Sequence, residues 1–165
     1  FMYGRETNDI YYTALLPVKR QDVVKAKSML MVLTQVVSLV ITVPCAIWRT
    51  ALLPDGNIVG IEANVAFFGF GLVIYALFNF VFLTQFFVTA YKAGRAFLLA
   101  SIPALLVMLA AEALVHFPGL AWLDSVSAAD QIRQLPILIV GIAVYALANL
   151  LAYRIAAKRF MAVDL

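Results

Sequence analysis

Four long apolar stretches, at about residues 28–48, 65–91, 96–117 and 135–153, constrain this chain more than any other feature. Each reaches the ~20 residues that a helix needs to cross ~30 Å of hydrocarbon. In lipid every backbone N–H and C=O must find a partner within the chain, so the spans are expected to be helices. At 65% hydrophobic and 13% charged, the 165 residues cannot hide their apolar surface in one aqueous core. The expected fold is therefore all-α: a polytopic transmembrane bundle of four spans, residues 28–165, with a short tail. Residues 1–27 form a cytoplasmic lead into the first span.

The bases orient the bundle. Of the twelve Lys and Arg, five precede the first span (Arg5, Lys19, Arg20, Lys25, Lys27), two lie between the second and third (Lys92, Arg95) and three follow the fourth (Arg154, Lys158, Arg159). Only Arg49 and Arg133 fall on the other side. By the positive-inside rule the base-rich side is cytoplasmic, and both ends lie there. Trp48 and Trp122 are expected at the opposite headgroup layer. The net charge of +3 suggests no nucleic-acid partner, because the bases flank spans and form no stripe interleaved with aromatics. One cysteine, Cys45, can build neither an intrachain disulfide nor a thiolate cluster.

Before the first span, Ile10, Tyr11, Ala14 and Leu15 share one helical face, with Thr7 or Asn8 available as a cap. Pro17 disfavours helical geometry at Leu16, so this helix is expected to stop there and another to start near Arg20. On the other side, Pro54-Asp55-Gly56-Asn57 reads as a tight reversal. The segment from Pro118 to Gln134 reads as an interfacial or re-entrant piece, in which Ser127 caps a short helix towards Asp130. The connection from Tyr91 to Arg95 is so short that the second and third spans must be antiparallel neighbours.

Polar groups inside spans carry two readings, a substrate-lining stripe or interhelical hydrogen bonding. Ser28, Gln35, Ser38 and Thr42 lie on one face of the first span, and Asn79, Gln85 and Asn149 raise the same choice elsewhere. Gly69, Gly71, Gly141, Ala148 and Ala152 are positions where neighbouring backbones can approach closely. Pro103 is expected to kink the third span. Glu112 and His116 stand one turn apart near its outer end, spaced as a metal pair would be, but no second histidine exists to complete a zinc site. They read instead as an outer-gate contact or an interfacial pair, with no metal. Phosphate-binding glycine loops and nucleophile elbows are absent from the sequence, so the chain is not an enzyme by itself.

The run from Tyr12 to Lys27, YTALLPVKRQDVVKAK, resembles the cytoplasmic signature of bacterial type-2 ATP-binding-cassette exporter permeases. Leu16, Pro17, Arg20, Val23, Val24 and Lys27 match its pattern after the acidic, aromatic stretch Glu6 to Tyr12, and the tail from Lys158 to Leu165 is similar to the family's C-terminus. Lys19 departs from it, standing where the family often carries a small hydroxyl residue. The resemblance implies six spans, so two are expected upstream of Phe1. It also implies that Ile10, Tyr11, Leu15, Leu16, Pro17, Lys19 and Arg20 form a coupling element that docks on a separate ATPase subunit. ATP and Mg would be bound by that partner, with no cofactor in this chain. A second permease protomer, in a homo- or heterodimer, would complete an exporter of an amphipathic substrate in the bacterial cytoplasmic membrane. The alternative is a non-transporting membrane anchor or regulatory subunit.

Overall fold

The structure, a computed structural model, describes residues 1, 4, 6–52 and 60–163, with the side chain of Ala14 outside that description. The expected turn at Pro54 to Asn57 lies outside the described residues, as do Arg5 and the terminal Asp164-Leu165. The fold is all-helical. A short helix α1 (Asp9–Ala14) leads to four long ones: α2 (Arg20–Leu52), α3 (Val65–Thr89), α4 (Ala93–Val115) and α5 (Ala128–Met161). A 3-10 helix, Pro118–Leu123, joins α4 to α5. All four long helices are long and apolar enough to span a bilayer.

Two of them outrun the expected spans. At 33 and 34 residues, α2 and α5 reach about 50 Å at 1.5 Å per residue, well beyond the hydrocarbon core. Hydropathy marks only the part solvated by lipid, whereas the helix continues through the polar flanks. Ser127 does cap a helix, accepting from the Asp130 N–H at 3.3 Å, but that helix is the whole of α5 rather than a short interfacial piece. Pro103 is accommodated within one continuous α4.

The centre of the bundle is α3. Its side towards α5 is lined by small residues, and Gly69 meets Gly141 there so closely that a Cβ on Gly141 would come within 2.5 Å of the Gly69 carbonyl oxygen. Gly71 has open space around it and serves no close approach. On another side, Ala93, Ala96, Ala100, Ala104 and Ala111 form the buried stripe of α4, which returns antiparallel after the tight connection. The base-rich half of the core is aromatic: Phe78, Phe82 and Phe86 stack in series along α3, and Phe87 meets Phe160 of α5 edge-on at 5.3 Å. The outermost helix is α2. It leans chiefly on α5, and only Val24, Ser28 and Ala46 of its 33 residues are buried.

Candidate functional site

Polar chemistry collects at three levels along the bundle axis. At the base-rich face, α1 is fastened to α2 by an ion pair between Asp9 and Lys27. The Lys27 hydrogen bond holds the Asp9 carboxyl below the usual carboxylate range. Ile10 is buried against the aromatic core. The expected four-residue face is thus divided: Ile10 turns inward, whereas Tyr11 and Leu15 point out with Tyr12, Leu16 and Val18. Leu15 is 83% exposed. Asn8 holds the N-cap position in a left-handed conformation (φ 52°), and its side chain makes no capping bond. The helix stops at Ala14, and α2 begins at Arg20 after Pro17 and Lys19, both at the surface. Arg20 donates to the Val163 carbonyl at 2.7 Å and reaches the end of α5, while Arg159 donates to the Thr84 carbonyl.

Midway along the bundle three helices are tied by a polar clasp. Gln35 of α2 and Asn79 of α3 exchange paired amide bonds at 2.8 and 2.7 Å. Asn79 also donates to Asn149 Oδ1 of α5 at 2.9 Å, and the Tyr145 hydroxyl donates to Gln35 Oε1 at 2.8 Å. Asn149 returns its N–H₂ to the Tyr145 carbonyl. Asn79 is fully buried, so each of these bonds spares an amide group the cost of an unpaired polar atom in an apolar medium. Of the seven in-span polar candidates on the sequence, Gln35, Asn79 and Asn149 converge. Ser38 and Thr42 instead return their hydroxyls to their own helix, and Gln85 lies apart in a small pocket beside Lys92 and Arg95.

The third level is the opposite face. Glu112 accepts the Ile61 N–H at 2.7 Å and Asp124 accepts the Glu62 N–H at 2.6 Å, while Asn64 caps α3 and reaches the Leu123 carbonyl at 2.8 Å. Gln134, fully buried, accepts from Ala66 N–H and donates to the Trp122 and Ser125 carbonyls. This network sutures the segment before α3 to the 3-10 helix. Glu112 therefore serves the loop before α3, while His116, at the C-cap of α4, is exposed, and no hydrogen bond joins the two among the described residues. Both bases on this side are engaged: Arg49 pairs with Glu62, and Arg133 lies over the Trp122 ring at 4.4 Å.

Two apolar spaces flank α2 on either side of the clasp. One, of about 720 Å³, opens towards the opposite face between α2, α3 and the start of α5. The other, of about 500 Å³, runs in the base-rich half between α2 and α5, from Lys25 to Asn149.

Tyr145, Asn64, Glu62 and Gln134 went unnoticed in the sequence. Tyr145 stands one turn before Asn149, and that spacing was the available signal. Gln134 sits at the start of an apolar run, where it reads as a flank.

Four helices long and apolar enough to span a bilayer, tied by a polar clasp, define a multi-pass membrane protein. Residues 1–160 match the family described as ABC-2 family transporter protein, and the chain belongs to that family. Its permeases are normally non-catalytic membrane subunits that work with an ATPase subunit. No curated protein and no solved structure matches the chain.

Proposed function

We propose that this chain is the permease subunit of an ABC exporter, moving an amphipathic substrate across the bacterial cytoplasmic membrane with ATP and Mg bound by a separate ATPase subunit. The observation that carries this reading is the α1 corner. Tyr12, Leu15, Leu16 and Val18 present an apolar patch on α1 and the turn that follows it, and α1 is fastened to the bundle by buried Ile10 and the Asp9–Lys27 pair. An apolar patch in water calls for a protein partner, and one fixed to the bundle can transmit that partner's motion. The base-rich face is cytoplasmic in this reading, where the ATPase would dock. Movement of the α1 corner would pass to α2, the least packed span, and a second protomer would supply the other wall of the path.

The test is ATP turnover by the full-length protein purified with the ATP-binding subunit encoded beside it. A stable complex whose stimulated activity drops about tenfold or more with Leu15→Asp supports coupling, since burying a carboxylate in an apolar contact costs more than the ~1.4 kcal/mol that a tenfold change represents. A complex indifferent to that substitution would return the weight to a non-transporting anchor.

A further inference from the structure

The part of α2 beyond the clasp carries an inference of its own. Residues 44–52 form an arm of which only Ala46 is buried. Val43, Ala46, Ile47 and Ala51 stand across the space of about 720 Å³ from Phe68 and Leu72 of α3. Where the arm begins, Pro44 has no N–H to give the Val40 carbonyl, so one rung of the helix ladder is missing between Gln35 and Arg49. Missing rungs at proline are where helices bend. Among the described residues one polar tie holds the far end of the arm, the ion pair of Arg49 with Glu62. The Thr50 hydroxyl returns to the Ala46 carbonyl of its own helix and ties the arm to nothing else.

The two partners of that pair are unlike. Glu62 belongs to the sutured face: its N–H is held by Asp124 at 2.6 Å, and its carbonyl accepts the Asn64 N–H at 2.7 Å. Its side chain is 9% exposed, and while Oε2 meets Arg49, Oε1 is buried with no partner among the described residues. A carboxylate taken out of water with one oxygen unused lies close to the balance between ion-pair attraction and desolvation. Parting the pair would hydrate that oxygen and the guanidinium, so release recovers much of what the contact contributes. We infer that residues 44–52 are a hinged wall of this space, latched by Arg49 on Glu62 and free to swing outward about Pro44 when the pair parts. The clasp at Gln35 holds α2 on the near side of the hinge, the missing rung lets the helix bend, and the half-satisfied pair closes it. In the permease reading proposed above, this wall would be the gate on the side away from the ATPase.

The test is the distance between spin labels at Ile47→Cys on the arm and Ile132→Cys at the start of α5, both exposed positions. The full-length protein is held in phosphatidylcholine bilayer discs, with its native cysteines, Cys45 included, replaced by serine. Labels at Leu33→Cys and Leu151→Cys report the same two helices on the base-rich side of the clasp. No ATPase is present, so the outcome is separate from the question of whether α1 couples to one. Glu62→Gln and Arg49→Gln should each raise the ratio of the longer to the shorter arm distance about tenfold, as the loss of one charge-assisted hydrogen bond implies, and both should reach the same longer distance. The Leu33–Leu151 distance should stay unchanged. Adding Pro44→Ala to Glu62→Gln should restore the shorter arm distance, because the missing rung is replaced. An arm distance indifferent to both substitutions would overturn the inference, as would persistence of the longer distance in the double variant. An equal shift between Leu33 and Leu151 would overturn it by marking displacement of the whole helix. Broadening with no discrete longer distance would overturn it too, leaving the pair a static staple.

Discussion

The most apolar stretches of α2 and α3 are equally apolar, yet the two helices use that property in opposite ways. Over the most apolar stretch of each, 6% of α2 and 33% of α3 is buried within the bundle. The apolar surface of α2 is left uncovered by the other described helices, whereas α3 is wrapped by α4 and α5. Hydropathy therefore reports which solvent a helix tolerates and says little about what it packs on. In a membrane the hydrophobic effect does not drive helices together, because a lipid tail is as apolar as leucine. What separates the two helices is fine structure: Ala66, Gly69, Ala76 and Asn79 on α3 let other backbones and amides come close, while α2 carries large aliphatic residues where such positions would be.

The largest expected effect is at Leu83, fully buried on α3. Leu83→Ala should cost about 3 kcal/mol in a reversible detergent unfolding titration, while Val40→Ala, at a side chain of α2 that is 66% exposed, should cost under about 0.5 kcal/mol. Comparable losses at both sites would erase the contrast.

Next comes the glycine crossing. Gly141→Ala forces α3 and α5 apart and should lower stability by about 2 kcal/mol. Gly71→Ala has room for its methyl and should be neutral or stabilise by up to about 1 kcal/mol. The difference between their thermal midpoints is the measurement, and a destabilising Gly71→Ala would place a neighbour where none is seen.

Asn79→Leu removes the centre of the clasp and leaves Gln35 and Asn149 without their shared partner. A loss of about 1 kcal/mol is expected, because interhelical hydrogen bonds in membranes are modest. Its more telling consequence is positional: spin labels on α2 and α5 should show a broadened distance distribution, since little besides Gln35 ties α2 to α3.

The smallest effect is at the Asp9–Lys27 pair, exposed enough for solvent to screen it. A carboxyl whose pKa is lowered in the folded state contributes stability that is fully present above its ordinary value near 4 and is lost as pH falls through the folded value. Protection of the α1 amides, taken relative to their intrinsic exchange rate at each pH, should therefore be flat from neutral pH down to about 4 and fall below it, with Asp9→Asn abolishing that pH step.

How much of this was legible before the fold was known follows from the same physics. The number of spans, their helical state and the tight α3–α4 return are set by lipid as solvent, which acts on composition. Helix ends were unevenly legible: Pro17 marked the start at Arg20, but Ala128 starts a helix that hydropathy places several residues later, because backbone hydrogen bonding does not stop at the headgroups. Amides were recognisable as costly, but their partners were not. The pairing of Gln35 with Asn79 depends on the rotation of two helices, and that rotation is set by contacts such as Gly69 on Gly141. Ile10 was misassigned to the open side because a short amphipathic face reads the same whether it meets a partner or the bundle itself.

The Arg20 guanidinium has one more consequence. Standing at the first turn of α2 and holding the Val163 and Met161 carbonyls, it ties the start of α2 to the end of α5. In the coupling reading proposed above, a push at the α1–α2 corner would reach α5 at this contact without passing through α3. The two helices that line the groove from Lys25 to Asn149 are thus pinned together at its mouth, by a guanidinium on one and carbonyls at the end of the other.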